Sequence, residues 1–145
     1  MSKFTGIYEN LVERIKEVFP DLYARTGPLS LDSPERLDEA FMVELRGYNT
    51  GPATTYIGDQ YTMTFDITLW GTNINNDESE FRGIVSALVA NFKTLRETLL
   101  SDNRLDNEDV ELVQFINSPG QDFSPNGEYI SLTETYEISF TEERS

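Results

Sequence analysis

The stretch Tyr61–Trp70, YTMTFDITLW, decides the fold. Tyr61, Met63, Phe65, Ile67 and Leu69 alternate with Thr62, Thr64, Asp66, Thr68 and Trp70. Side chains on a strand point to opposite faces in turn, so this period of two predicts a half-buried antiparallel strand. Upstream, FMVELRG (41–47) alternates in the same way, with Phe41, Val43 and Leu45 on one face. Between the two lies GYNTGPATTYIGDQ (47–60), where Gly47, Gly51, Pro52 and Gly58 break the pattern and predict a long mobile loop. Downstream, Gly71 closes the strand. Phe81, Ile84, Val85, Leu88, Phe92, Leu95 and Leu99 then form the apolar stripe of a long helix, entered through Asp77 and Glu80 at capping-box spacing.

Outside this centre the pattern repeats. Ile7, Leu11, Ile15, Val18 and Leu22 recur at spacings of three and four, which predicts a helix from about Thr5 to Phe19. Pro20 ends it, PDLYAR reads as a turn, and Ser33-Pro34 suggests a short helical turn over 34–39. After an acidic loop, Val110–Ile116 predicts a third strand. NSPGQDFSPNGE (117–128) reads as a second mobile loop, and YISLTETYEISFT (129–141) as a fourth strand. Its face of Ile130, Leu132, Tyr136, Ile138 and Phe140 has one intruder, Glu134. The expectation is one α+β domain over residues 1–145: a four-stranded antiparallel sheet with helices packed on one face, in the order α-β-β-α-β-β.

Composition narrows the function. Twenty-six acidic residues face eleven basic ones, a net charge of −15, and there is neither histidine nor cysteine. A Ser-His-Asp or Cys-His relay cannot be built, nor a Cys/His zinc site, nor thiol redox chemistry. The reading is not an enzyme, with no catalytic residues, no cofactor and no metal. Sparse, scattered Lys and Arg do not make a phosphate-binding surface. No segment reaches the roughly 20 apolar residues needed to span a bilayer, and the N-terminus lacks the apolar run of a signal peptide. Absence of cysteine suits a reducing compartment such as cytoplasm. The charge is uneven: residues 101–145 carry 11 acids and 2 bases, net −9.

The run Asp102, Asn103, Asp106, Asn107, Glu108, Asp109 invites calcium, but no Gly holds the sixth loop position and Val113 stands where the bidentate Glu belongs. A solvated acidic loop is the simpler account. Glu134 on an apolar face requires exposure at an edge, a bulge, an internal pair with Arg82 or Arg96, or a contact across a subunit boundary. Tyr56, Ile57 and Phe123 are large apolar groups in Gly/Pro-rich loops, so either they fold back or a partner covers them. With Glu134 they form the set of interface candidates.

The helix ending in VFPDL, then FMVELRG, YTMTFDITLWGTN, the long central helix and the paired strands around NSPGQDFSPNGEY follow in an order that resembles the tail terminator, or tail-completion, proteins of long-tailed bacteriophages. The resemblance spans nearly the whole chain and rests on element order and size. It implies a structural virion protein at the tail–neck junction, assembled in the host cytoplasm. It implies partners too: further copies in a ring, commonly a hexamer, the tail tube protein below and a head connector or neck protein above. Genomic DNA would pass through without tight binding. A carboxylate-lined lumen suits that passage, since it repels phosphate, and Asp102, Asp106, Glu108 and Asp109 are the lumen candidates. Two other readings share the composition: a head-closure or adaptor protein of the neck, and an acidic DNA mimic that inhibits a DNA-binding enzyme. Oligomeric state separates the mimic from the ring proteins.

Overall fold

The computed structural model describes residues 3–25, 40–54, 58–72, 78–101, 105, 110–123 and 129–143. Helix α1 (Lys3–Val18) is followed by strands β1 (Tyr23–Arg25), β2 (Ala40–Thr54) and β3 (Gly58–Thr72). Helix α2 (Glu78–Ser101) and strands β4 (Val110–Phe123) and β5 (Tyr129–Glu143) complete it. The sheet is five-stranded and mixed, in the order β1-β2-β3-β5-β4. This corrects the expected four-stranded antiparallel sheet and its α-β-β-α-β-β order. The extra strand is β1, which pairs parallel with β2 through Tyr23↔Ala40, Ala24↔Phe41 and Arg25↔Met42. PDLYAR is therefore turn at Pro20 and Asp21, as expected, but strand over its last three residues. Three residues are too few to display a period, and their ladder partner is distant in sequence.

The two expected loops are corrected as well. Residues 47–54 and 58–60 continue β2 and β3, and 117–123 continue β4. The breakers sit in an interrupted ladder instead of ending it. The β2–β3 register shifts between Leu45 and Gly47 and again between Thr50 and Thr54, around Pro52. The β4–β5 register shifts between Asn117 and Gly120, around Pro119, and Gly120 takes a positive φ of 111°. Bulges and edge positions are where a strand tolerates proline, which cannot donate to the ladder. The strands reach 15 residues, about 50 Å at strand rise. The helical turn suggested for 34–39, and Asp77 of the capping box, lie outside the described residues.

Both helices pack on one face. Ile7, Leu11 and Ile15 of α1 are fully buried, as the four-residue spacing requires. The helix ends where Pro20 has no N–H to offer, and the chain turns through Phe19 N–H to Ile15 C=O at 2.9 Å and Leu22 N–H to Phe19 C=O at 3.1 Å. Tyr8 donates its hydroxyl hydrogen bond to the Val43 carbonyl at 3.3 Å, which ties α1 to β2. Leu88, Phe92, Leu95 and Leu99 of α2 join Phe41, Phe65, Ile67, Tyr136 and Ile138 in one core. The helix comes close at Gly71: a Cβ there would stand 2.3 Å from Ile84 Cγ2. Leu105, set among acidic residues in the sequence, is buried in the same core with a φ of 53°. No described helix is long and apolar enough to cross a membrane.

Candidate functional site

The helix-free face of the sheet is built by the second half of the alternation that defines β3 and β5. Register places Thr62 beside Ser139, Thr64 beside Glu137, Asp66 beside Thr135, Thr68 beside Thr133 and Trp70 beside Ser131. Threonine suits this position, since its branched Cβ favours strand and its hydroxyl serves a polar face. The hydroxyls satisfy one another and their neighbours. Thr68 Oγ1 and Thr133 Oγ1 are 2.9 Å apart, and Thr135 donates to Asp66 Oδ1 at 2.6 Å. From β4, Ser118 donates to the Thr133 carbonyl at 2.8 Å, and Thr141 donates to the Glu111 carboxylate. Among the side chains described on this face the single cation is Arg46, whose Nη1 stands 3.7 Å from Asp66 Oδ1. Thr68, Trp70, Thr135 and, from β2, Met42 are buried on this face, and the part that reaches solvent is rich in hydroxyl and carboxylate, with its described cation already paired. Its described side chains offer a polyanion no cluster of positive charge, so little counterion release would reward binding to them.

On the other face a charged group is held inside the core. Glu134 is 3% exposed. Its Oε2 accepts from Arg96 Nη2 of α2, and its Oε1 accepts from the Tyr136 hydroxyl at 2.7 Å. Of the alternatives its position left open, the structure shows the internal pair, and Arg96 is the partner. The Arg96 guanidinium also lies 4.0 Å from the ring centroid of Phe115, which meets Tyr136 edge-on at 5.6 Å. Burial first, then the bond to Glu134, push the Tyr136 hydroxyl well above its ordinary value of 10.0. The bond to Glu134 holds the Arg96 guanidinium above its own ordinary value. The Arg96 Nε is buried without a hydrogen-bond partner. One arginine thus ties α2 to both β4 and β5.

Two long edges flank the sheet. β1 covers β2 only from Ala40 to Met42, and among the described residues no strand pairs with the outer side of β4. Beside these edges Leu45, Tyr48, Val89, Leu100 and Ile116 are exposed.

Of the residues singled out from sequence, Glu134 is the one the structure surrounds with described partners. Phe123 ends β4 opposite Ile130. Tyr56 and Ile57, and the lumen candidates Asp102, Asp106, Glu108 and Asp109, lie outside the described residues. The hydroxyl face was legible as alternation in both strands. That it forms one continuous surface depends on β3 and β5 being neighbours, which the order of elements along the chain does not state.

No family model matches the chain, and no curated protein matches it. Among solved structures, a chain of the virion of a native gene transfer agent particle shares the fold, with a TM-score of 0.51. The likeness covers 91% of this chain and 92% of that one, at 9% sequence identity. At that identity it is a likeness of fold.

Proposed function

We propose that the chain is a structural virion protein that assembles as a ring capping the tail tube of a phage-like particle. It ends tube polymerisation and presents the surface on which the head is joined. The observation that carries this reading is the end-to-end fold likeness to a chain of a gene transfer agent virion. Two further features support it. Open sheet edges on opposite sides of one subunit suit head-to-tail contacts, which close into rings. A hydroxyl- and carboxylate-rich face whose cation is paired suits a wall past which DNA slides, and it joins the acidic 101–145 region as a lumen candidate. In this role the chain is not an enzyme. Its partners are further copies of itself, in a hexamer, the tail tube protein and a head connector.

Light scattering on the purified chain, alone and with polymerising tube protein, tests the proposal. A mass near six subunits, or rings seated on tube ends by electron microscopy, is the expected result. A chain that stays monomeric in both conditions and leaves tube length unchanged overturns it.

A further inference from the structure

The flank of α2 that overhangs β4 differs from the rest of this acidic molecule. At about 100° per residue, Arg82, Val89, Lys93, Arg96 and Leu100 fall within one narrow arc of the helix. Arg96 in that arc lies over Phe115 of β4, so the arc faces the β4 edge. Residues 81–96 contain Arg82, Lys93 and Arg96 and no acid. Val89 is 52% and Leu100 38% exposed. At the opposite edge, Leu45 and Tyr48 of β2 are 42% and 65% exposed. They pair with Phe65 and Met63, so they too lie on the helix-bearing face.

We propose that this flank of α2 seats a second copy of the chain, which lays Leu45 and Tyr48 of its β2 edge against Val89, Lys93 and Leu100. The inference rests on the ring reading above and names its seam. Three observations carry it. Two molecules of net charge −15 repel wherever acids face acids, and the stretch of this flank from Arg82 to Arg96, which carries cations and no acid between Glu80 and Glu97, is where they can approach. β2, β3, β5 and β4 alternate in direction. A copy related by rotation about an axis along the strands therefore brings its β2 antiparallel to β4, with its helix-bearing face on the same side. The levels also agree. Ile84 and Leu88 stand over Gly71 while Arg96 bonds Glu134, the partner of Ile67, so α2 runs toward the Phe65 end of β3. Leu100, one turn or about 6 Å beyond Arg96, comes level with Phe65 and its partner Leu45, and Tyr48 is the next residue of β2 on that face. The bulges and prolines in both edge strands prevent a long intermolecular ladder, so side chains must supply the contact.

The absence of cysteine makes the test direct. Tyr48→Cys is combined in turn with Val89→Cys, Lys93→Cys and Leu100→Cys, which together allow for shear along the seam. All four positions are exposed, and circular dichroism verifies folding. Under mild oxidation at least one double variant is expected to give a ladder of covalent multimers ending at the ring, while the single-cysteine variants give dimers at most and inefficiently. If the unmodified chain forms rings but no pair yields a ladder, the seam is wrong and the ring stands. If Tyr48→Cys alone dimerises as efficiently as the pairs cross-link, the contact is twofold and the head-to-tail seam is wrong. If the unmodified chain stays monomeric and no ladder forms, both fall.

Discussion

At Glu134 a single carboxylate is held inside an apolar face by one guanidinium and one phenol. Such a pair contributes little net stability compared with apolar side chains, yet breaking it leaves a buried charge uncompensated. Arg96→Met should therefore destabilise the fold by about 3 kcal/mol, somewhat less if water reaches the carboxylate past the half-open Arg96 position. The double variant Arg96→Met with Glu134→Met should recover most of that loss in urea denaturation. Equal losses in single and double variants would show that Arg96 matters for packing, not for charge. Tyr136 gives a pH signature. Its folded-state value is raised, so above pH 10 the unfolded chain has lost a proton that the folded chain keeps. The contribution is fully present below the unfolded value and falls above it, by about 1.4 kcal/mol per pH unit. Comparing wild type with Tyr136→Phe between pH 9 and 11 isolates this slope from the other tyrosines. At Gly71 the close passage of α2 leaves no space for a Cβ. Gly71→Ala should cost about 1–3 kcal/mol through the forced shift of Ile84, and a smaller side chain at 84, as in Ile84→Ala, should restore part of it.

Among the elements, α2 is the one that joins everything. It touches β3 at Gly71, β5 at Glu134 and β4 at Phe115. Leu88 is buried where it passes Gly71. Leu88→Ala should cost roughly 2–5 kcal/mol, since a cavity adds to the lost transfer energy. Thermal unfolding that matched wild type would contradict the contact. The strands carry the reverse lesson about local signals. Gly47, Gly51, Pro52, Pro119 and Gly120 all mark breaks, yet each lies within a strand. Register shifts in the ladder fall around them, and prolines there limit pairing with stray chains. Helix and strand cores were legible because an apolar stripe has to face the core at a fixed period. Strand ends were not, because a ladder continues wherever a neighbour supplies partners.

For the whole molecule, the hydroxyl face predicts a low affinity for DNA. Thr62→Lys, Thr64→Lys and Ser139→Lys together would place cations on neighbouring strands of that face. The positions are half-buried on a polar surface, so folding should survive. The variant should retain duplex DNA in a mobility assay, with binding that falls steeply as salt rises, roughly as log K changing by about 0.9 per neutralised phosphate for each decade of salt. The unmodified chain should retain none. If the triple-lysine variant assembles and still ignores DNA, this face does not line the passage.

The sequence alone determined the two helices, the four long strands through their cores, the odd position of Glu134 and the chemistry that lacks histidine and cysteine. Each of these follows from side-chain period or from residue type, which are local properties. The tertiary structure decided the rest. It chose Arg96 over Arg82 as the partner of Glu134, because Arg96 stands level with Glu134 on β5 while Arg82, on the same side of α2, lies about 21 Å nearer the start of the helix. It made a strand of Tyr23–Arg25, because β2 offered an edge to pair with. It set β5 between β3 and β4, and so joined two separate rows of threonine and serine into one surface. Adjacency between distant segments depends on which ladder closes with the least unpaired backbone and the best-filled core, and no period along a single chain records that.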